Sequence, residues 1–151
     1  MFCVSLAGRL VGMEHAIALI ITGPLVGIEL GVATVTNTLA EQLPDSGFRI
    51  VRGGAGRLLG ALMPLWYFAA LAMLIIEVVT TRSPQLMVAA AVMAAAILLS
   101  VAVLVPINVR IGRWSTDADV DRALTRRWDG FHWLRVGLLT VAYVLLAISG
   151  T

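Results

Sequence analysis

Residues 23–37 read GPLVGIELGVATVTN, and they sit inside a longer block, 16–39, in which Glu29 is the single ionisable side chain. An α-helix rises about 1.5 Å per residue, so a block of this length reaches across the ~30 Å hydrocarbon core of a bilayer. Inserting one acid near the middle of such a helix costs on the order of 3 kcal/mol. A chain that keeps Glu29 there has a use for it, either as a buried hydrogen bond that holds the fold or as a group that does chemistry.

Three further apolar blocks follow at 58–80, 85–107 and 131–149, in a chain of 151 residues that is 60% hydrophobic, 13% charged and has a mean hydropathy of +0.94. Soluble domains carry about 25% charged residues, so this composition belongs to an integral membrane protein. The ten-residue alternating strands of a β-barrel are missing. The reading is therefore all-α: a single domain over 1–151, folded as an antiparallel four-helix bundle with helices over 14–40, 57–80, 84–108 and 131–150. The first block is too long for the apolar core of a signal peptide, which makes it a retained helix. Met13 is an alternative start to Met1, and would make Cys3 and Arg9 dispensable. The one cysteine permits no intrachain disulfide and no cysteine-based metal cluster.

All 11 basic residues are arginines. Nine of them flank the two connections 40–57 and 108–131, against Arg9 and Arg82 on the other side. The positive-inside rule places both connections in the cytoplasm and both termini outside the cell membrane. The acids Asp117, Asp119, Asp121 and Asp129 dilute the basic charge of the longer connection, which argues against a nucleic-acid partner. Arg113, Arg126 and Arg127 are expected to meet lipid headgroups.

Local signals refine the helices. LPDSGF, 43–48, reads as a turn, and Pro64 removes a backbone donor from the second helix. TTRSPQ, 80–85, is a short outer turn in which Ser83 and Pro84 suit the cap and first-turn positions of the third helix. The alanine-rich 87–100 permits close helix approach.

On the first helix His15, Thr22, Glu29 and Thr36 recur every seven residues and so form one polar stripe. Gly27 and Gly31 lie about 160° from Glu29 around the helix. The glycines with Gly23 are thus expected to pack on a neighbour, or on a second copy in a homo-oligomer, while the stripe looks into the bundle. Asn37 near the end of helix 1, Asn108 near the end of helix 3, and His132 with Arg135 at the start of helix 4 fall at similar depth. They outline a polar pocket floored by Glu29, with Trp128, Phe131 and Trp133 at its mouth. An interfacial aromatic belt is the competing role for Trp133. Histidine titrates near neutral pH and can act as a base. His15 falls at the opposite face, so one subunit offers fewer than the three protein ligands usual for a catalytic metal. No metal or other cofactor is expected, with copper or iron as the lesser alternative.

The segments GPLVGIELGVATVTNTLAEQLP, GRLLGALMPLWYF, VPINVRI and RRWDGFHWLR, followed by a last apolar helix, resemble the anthrone oxygenase-like membrane proteins over about residues 20–149. The strongest pieces are VPIN and the run carrying Arg127, Trp128, Phe131, His132 and Arg135. Where many relatives have proline after the asparagine of TNTLAEQLP, this chain has Thr38. The resemblance implies a four-helix membrane fold and a cofactor-independent monooxygenase that inserts oxygen at the activated methylene of an anthrone-like polyketide or phenol. Such a reaction needs a base, donors for a developing oxyanion and an apolar slot. The resemblance assigns His132 or Glu29 as base, Asn108 and Arg135 as donors, and Asn37 with the aromatics as the substrate wall, with O₂ as co-substrate. The reading from another class is a non-enzymatic membrane subunit, binding a partner or passing a small solute, with Glu29 as a structural bond or proton relay.

Overall fold

The computed structural model describes residues 2–150, with side chains from residue 12 onward. Met1 falls outside the described residues, and the expectations attached to Cys3 and Arg9 fall outside the described side chains. The described chain is helical nearly throughout, in four rods. The first is α1, Phe2–Gly31, continued through a π-helical segment, Val32–Thr36, into α2, Asn37–Glu41. The second is α3, Asp45–Thr81. The third is α4, Pro84–Leu99, a second π-helical segment, Ser100–Leu104, and α5, Val105–Ile111. The fourth is α6, Arg122–Ser149. Each rod contains a stretch long and apolar enough to cross a membrane. α1 packs on α3 and α6, and α4 packs on the same two helices, which closes the four rods into a ring.

Each boundary has a local cause. Pro44, extended at ψ 160, precedes α3 and accepts from Phe48 N–H at 2.9 Å. Ser83 is also extended, and Pro84 occupies the first turn of α4 as expected, although the Ser83 hydroxyl makes no cap bond. Asp121 caps α6 by accepting from the backbone N–H groups of Ala123 and Leu124 at 2.9 and 3.0 Å. α3 ends at Arg82, whose φ of 53 places it in the left-handed region.

Three boundaries differ from the sequence reading, the first being α1, which begins at Phe2 rather than 14. α3 begins at Asp45 rather than 57, and α6 at Arg122 rather than 131, so the connections shrink to residues 42–44 and 112–121. Hydropathy stops at charge, whereas these charges are paired. Arg52 and Asp129 meet at 2.5 Å, and Arg122 reaches Asp45 at 2.7 Å. Pairing lets the helices run on past the apolar zone, burying Phe48, Thr125 and Trp128.

The glycine expectation is corrected as well. A Cβ added at Gly23 would touch the Tyr143 ring at 3.4 Å, but one at Gly27 or Gly31 would meet nothing within 4 Å. Within this chain Gly27 and Gly31 are not a packing surface; of the α1 glycines whose surroundings are described, Gly23 is the one that closely meets a neighbour.

Packing separates into two apolar clusters. The larger joins Leu25, Ala70, Leu74, Ala89, Met93 and Leu139 with their neighbours. The smaller, at the arginine-rich end, joins Leu104, Ile107, Ile111 and Trp128. Glu29, Ser100 and His132 fall between them along their respective rods, so the polar layer is sandwiched by apolar packing.

Candidate functional site

The polar stripe of α1 turns inward as its spacing requires. Thr22 and Glu29 are buried and Thr36 lines an interior cavity. Both oxygens of Glu29 are engaged. Tyr67 O–H on α3 donates to Oε1 at 2.6 Å, and Arg135 Nη2 on α6 donates to Oε2 at 2.6 Å. Arg135 also donates from Nη1 to Ser100 Oγ at 3.2 Å, and its guanidinium lies 5.6 Å from the Tyr67 ring centroid. The charge buried in the first helix is thus neutralised by one from the fourth, with a hydroxyl from each of the other two rods. A buried carboxylate is tolerable only when paired and hydrogen-bonded in this way.

His132 is fully buried, and its neighbours assign its tautomer. Nδ1 faces Arg135 Nη2 at 2.8 Å, and arginine has only donors to offer, so Nδ1 accepts. The proton then sits on Nε2 and is donated to the Glu29 backbone carbonyl at 3.2 Å. That carbonyl lies one turn before the π segment Val32–Thr36, where the backbone bonds shift register and Asn37 N–H reaches Val32 O. Trp128 stacks on the imidazole with centroids 4.7 Å apart and planes 16° from parallel. In this arrangement His132 holds Arg135 and α1 in place and keeps no lone pair free. Glu29 Oε2 lies 3.4 Å from Nδ1, and Nη2 of Arg135 bridges these two acceptors.

A second network caps the arginine-rich side. Arg52 donates to Asn37 Oδ1 at 2.6 Å and to Asp129 Oδ2 at 2.5 Å, while Asn37 Nδ2 donates to Asp129 Oδ1 at 2.9 Å. Glu41 stands 3.9 Å from the same guanidinium, which lies 5.7 Å from the Trp128 ring centroid. Arg52, Asn37 and Trp128 are all buried.

Between the two networks lies a cavity of about 120 Å³ walled by all four rods. A single water needs only ~10–15 Å³, so the space suits a larger guest. Its wall is mainly apolar, including Leu59, Met63, Ile97 and Leu104, with Glu29, Tyr67, Ser100, Asn108, His132 and Arg135 as the polar groups beside Asn37 and Arg52. Four donors on residues that line it are unspent. Among the described residues, Trp128 Nε1–H, Arg52 Nε–H and Arg135 Nε–H are buried without a hydrogen-bond partner. The Asn108 amide, half-buried beside Gly56, makes no hydrogen bond to another described residue. Native proteins leave few buried donors unpaired, and each such group calls for a reason.

The sequence-derived residues divide accordingly. Glu29, His132 and Arg135 touch, and Asn108 and Trp128 share their cavity. Asn37 lines it too, but its side chain is committed to Arg52 and Asp129. Two residues are not at the mouth. Phe131 packs with the smaller apolar cluster beneath Arg127, whose guanidinium is 5.9 Å from its ring. Trp133 is 48% exposed on the outer face of α6 and lines no part of the cavity. A helix turns about 100° per residue, which puts Trp133 about 100° or more from Trp128, His132 and Arg135; Phe131 lies only about 40° from Arg135, at the edge of their face, and is taken up by the smaller apolar cluster.

Tyr67, Ser100, Arg52 and Asp129 escaped the sequence reading. Tyr67 stands on the register Met63, Tyr67, Ala70, Leu74, Glu77, and Ser100 on Leu86, Ala89, Met93, Ala96, Ser100, both with the 3–4 spacing of a buried face. That spacing was the available signal. His15 does lie at the far end of the bundle, where its Nδ1 pairs with Glu77 Oε2 at 3.1 Å. Among the described residues no three His, Cys, Asp or Glu side chains gather as a metal site.

The family model described as anthrone oxygenase matches residues 48–145, about two-thirds of the chain. No curated protein and no solved structure matches it. By the extent of the family match, the chain belongs to the anthrone oxygenase family.

Proposed function

We propose that this member of the anthrone oxygenase family is a membrane-embedded oxygenase that oxidises a lipophilic aromatic substrate, anthrone-like or phenolic, in the cavity bounded by Glu29, Asn108, His132 and Arg135. The termini lie outside and the arginine-rich connections in the cytoplasm. The observation that carries this reading is the pairing of a buried carboxylate with unspent N–H donors across one largely apolar cavity. In such a site the carboxylate accepts a proton from the acidic methylene, and the donors hold the oxygen of the enolate that forms.

Glu29 is the base in this scheme, because a carboxylate has about four lone-pair positions and only two are taken. His132, with both nitrogens engaged, positions Arg135 instead. The carbanion passes one electron to O₂; recombination gives a peroxide, and loss of water leaves a carbonyl where the CH₂ stood. One oxygen atom enters the quinone, the other leaves as water, and no external reductant is consumed. Apolar walls exclude bulk water from the carbanion.

The test uses the chain in lipid nanodiscs with anthrone under air, following O₂ uptake, quinone absorbance and ¹⁸O incorporation from ¹⁸O₂. Turnover by the unsubstituted chain, reduced about 10²-fold or more in Glu29→Gln, is the expected result. No turnover, or turnover that Glu29→Gln leaves unchanged, removes the enzymatic reading. It would leave the second one, a non-enzymatic membrane subunit with Glu29 as a structural bond, which is favoured by the engagement of each Glu29 oxygen and each His132 nitrogen.

A further inference from the structure

We infer that the guest of this cavity enters sideways from the bilayer, through a window between α3 and the α4–α5 rod, and not from water at the arginine-rich end. The inference rests on the functional reading above and specifies how its substrate arrives and what chemistry admits it.

Lining residues are unequal in exposure. Those at the arginine-rich end, Asn37, Arg52, Ile111 and Trp128, are all buried, and the first two are tied to Asp129 by the network described above. A guest from water would have to break those charge-assisted hydrogen bonds. On the side of α3, by contrast, Gly60, Pro64 and Phe68 recur every fourth residue, line the cavity and face outward, with Phe68 59% exposed. Val101 and Val105 face them from the other rod at 61% and 45% exposed while lining the same cavity. Side chains that are both wall and surface mark where a cavity opens.

The window has closed ends. Toward the arginines, Gly53 and Gly56 bring α3 onto α5: a Cβ at Gly56 would stand 3.6 Å from Asn108 Oδ1, and one at Gly53 3.9 Å from the Ile111 carbonyl. Toward the other end α3 and α4 meet through Ala70, Leu74, Leu86 and Ala89 in the larger apolar cluster. Its two jambs are the irregular parts of their rods. Pro64 removes a donor from the α3 ladder, and the opposite jamb is the π segment Ser100–Leu104 followed by Pro106. At the sill is Gly60, where an added Cβ would meet nothing within 4 Å.

None of the five window residues is polar, and the spans around them are apolar enough to lie in hydrocarbon. The window therefore admits an uncharged, flat ring system dissolved in the bilayer, and selects against aromatics carrying a carboxylate, sulfate or sugar, which a hydrocarbon path desolvates at high cost.

The experiment follows anthrone binding to the full chain in phospholipid vesicles, read as quenching of the Trp128 component of emission (the difference from Trp128→Phe). Association is timed after rapid mixing. Gly60→Phe is expected to slow association at least tenfold with an unchanged melting temperature, whereas Gly60→Ala stays within twofold of the unsubstituted chain. Val101→Trp narrows the window from the other jamb and serves if Gly60→Phe does not fold. Association in Gly60→Phe or Val101→Trp as fast as in Gly60→Ala overturns the window and leaves the functional reading standing. Absence of quenching in the unsubstituted chain overturns both.

Discussion

Replacing Glu29 and Arg135 together separates what their pair does for the fold from what it does for the reaction. Arg135→Met alone leaves the Glu29 carboxylate buried with Tyr67 as its remaining donor and removes the partners of Ser100 and His132 Nδ1. Breaking a buried pair from one side costs about 3–5 kcal/mol. Glu29→Leu strands the guanidinium, although Ser100 and His132 still receive it, and the cost falls to about 2–4 kcal/mol by the same reasoning. Glu29→Leu with Arg135→Met leaves no orphaned charge and roughly conserves volume. The double variant is then expected within about 1–2 kcal/mol of the original chain, which makes the coupling energy between the two sites about 3–8 kcal/mol. At about 2–4 °C per kcal/mol for a chain of this size, the single variants melt roughly 4–20 °C lower and the double variant a few degrees lower. Thermal unfolding in nanodiscs, followed by circular dichroism, reads all three, and anthrone turnover is measured on each. The double variant should regain its fold and stay inactive. Single-variant losses that add to within ~0.5 kcal/mol would show that the two side chains do not interact. A double variant that oxidises anthrone at the original rate would refute a catalytic part for the pair.

Tyr67→Phe removes one donor from Glu29 without changing shape; it should cost about 1.5–3 kcal/mol, the value of a hydrogen bond to a buried charge, again read by melting. Arg82, at φ 53, is a non-glycine residue in the left-handed region, and Arg82→Asn should raise stability by about 1 kcal/mol, since asparagine tolerates that conformation better; an unchanged or lower melting temperature would contradict this. Asp119 lies outside the membrane, where the backbone N–H groups of Thr116 and Ser115, with both hydroxyls, hold its carboxyl down from 3.8 to about 2. Because the folded value lies below the unfolded one, the stabilisation of loop 112–121 is complete above about pH 4 and fades as pH falls through 2. Protection factors of the Ser115 and Thr116 amides, taken relative to intrinsic exchange at each pH, should fall over that range, and Asp119→Asn should abolish the dependence.

Legibility in the sequence followed the strength of each physical signal. Four apolar blocks and their turns are set by hydrocarbon thickness, and the structure keeps all four. The inward direction of Glu29 was readable because the seven-residue spacing of His15, Thr22, Glu29 and Thr36 leaves a helix little choice. The pairing of His132 with Arg135 was readable from their separation of three. The starts of α3 and α6 were not readable, because a window of hydropathy counts Arg52 and Asp129 as separate penalties when they are one neutral pair spanning two helices. Gly27 and Gly31 find no neighbour within this chain for the related reason that small residues permit contact without requiring it. Trp133 was grouped with Trp128 by proximity in sequence, where helical geometry groups by angle.

The partners of Glu29 show most clearly where one-dimensional reading stops. Tyr67 and Ser100 look unremarkable within apolar runs, and their significance depends on two registers meeting at one depth. Arg135 is an expected oxyanion donor and His132 or Glu29 the expected base, and the geometry makes Arg135 and His132 restraints on each other: Nη2 of Arg135 serves Glu29 and His132 at once, and His132 spends its proton on the α1 backbone. On the proposed reading that arrangement leaves Glu29 as the base, with Asn108, Trp128, Arg52 Nε and Arg135 Nε as the available donors. The carboxylate also lies beside the Val32–Thr36 π segment. There the altered backbone register accompanies a main-chain carbonyl that receives a side chain from α6, so the residue bearing the acid is fixed at its backbone as well as at its carboxylate. In the proposed reaction a base held at both ends does not swing toward its substrate; the substrate is brought to it, through whichever wall of the cavity is open.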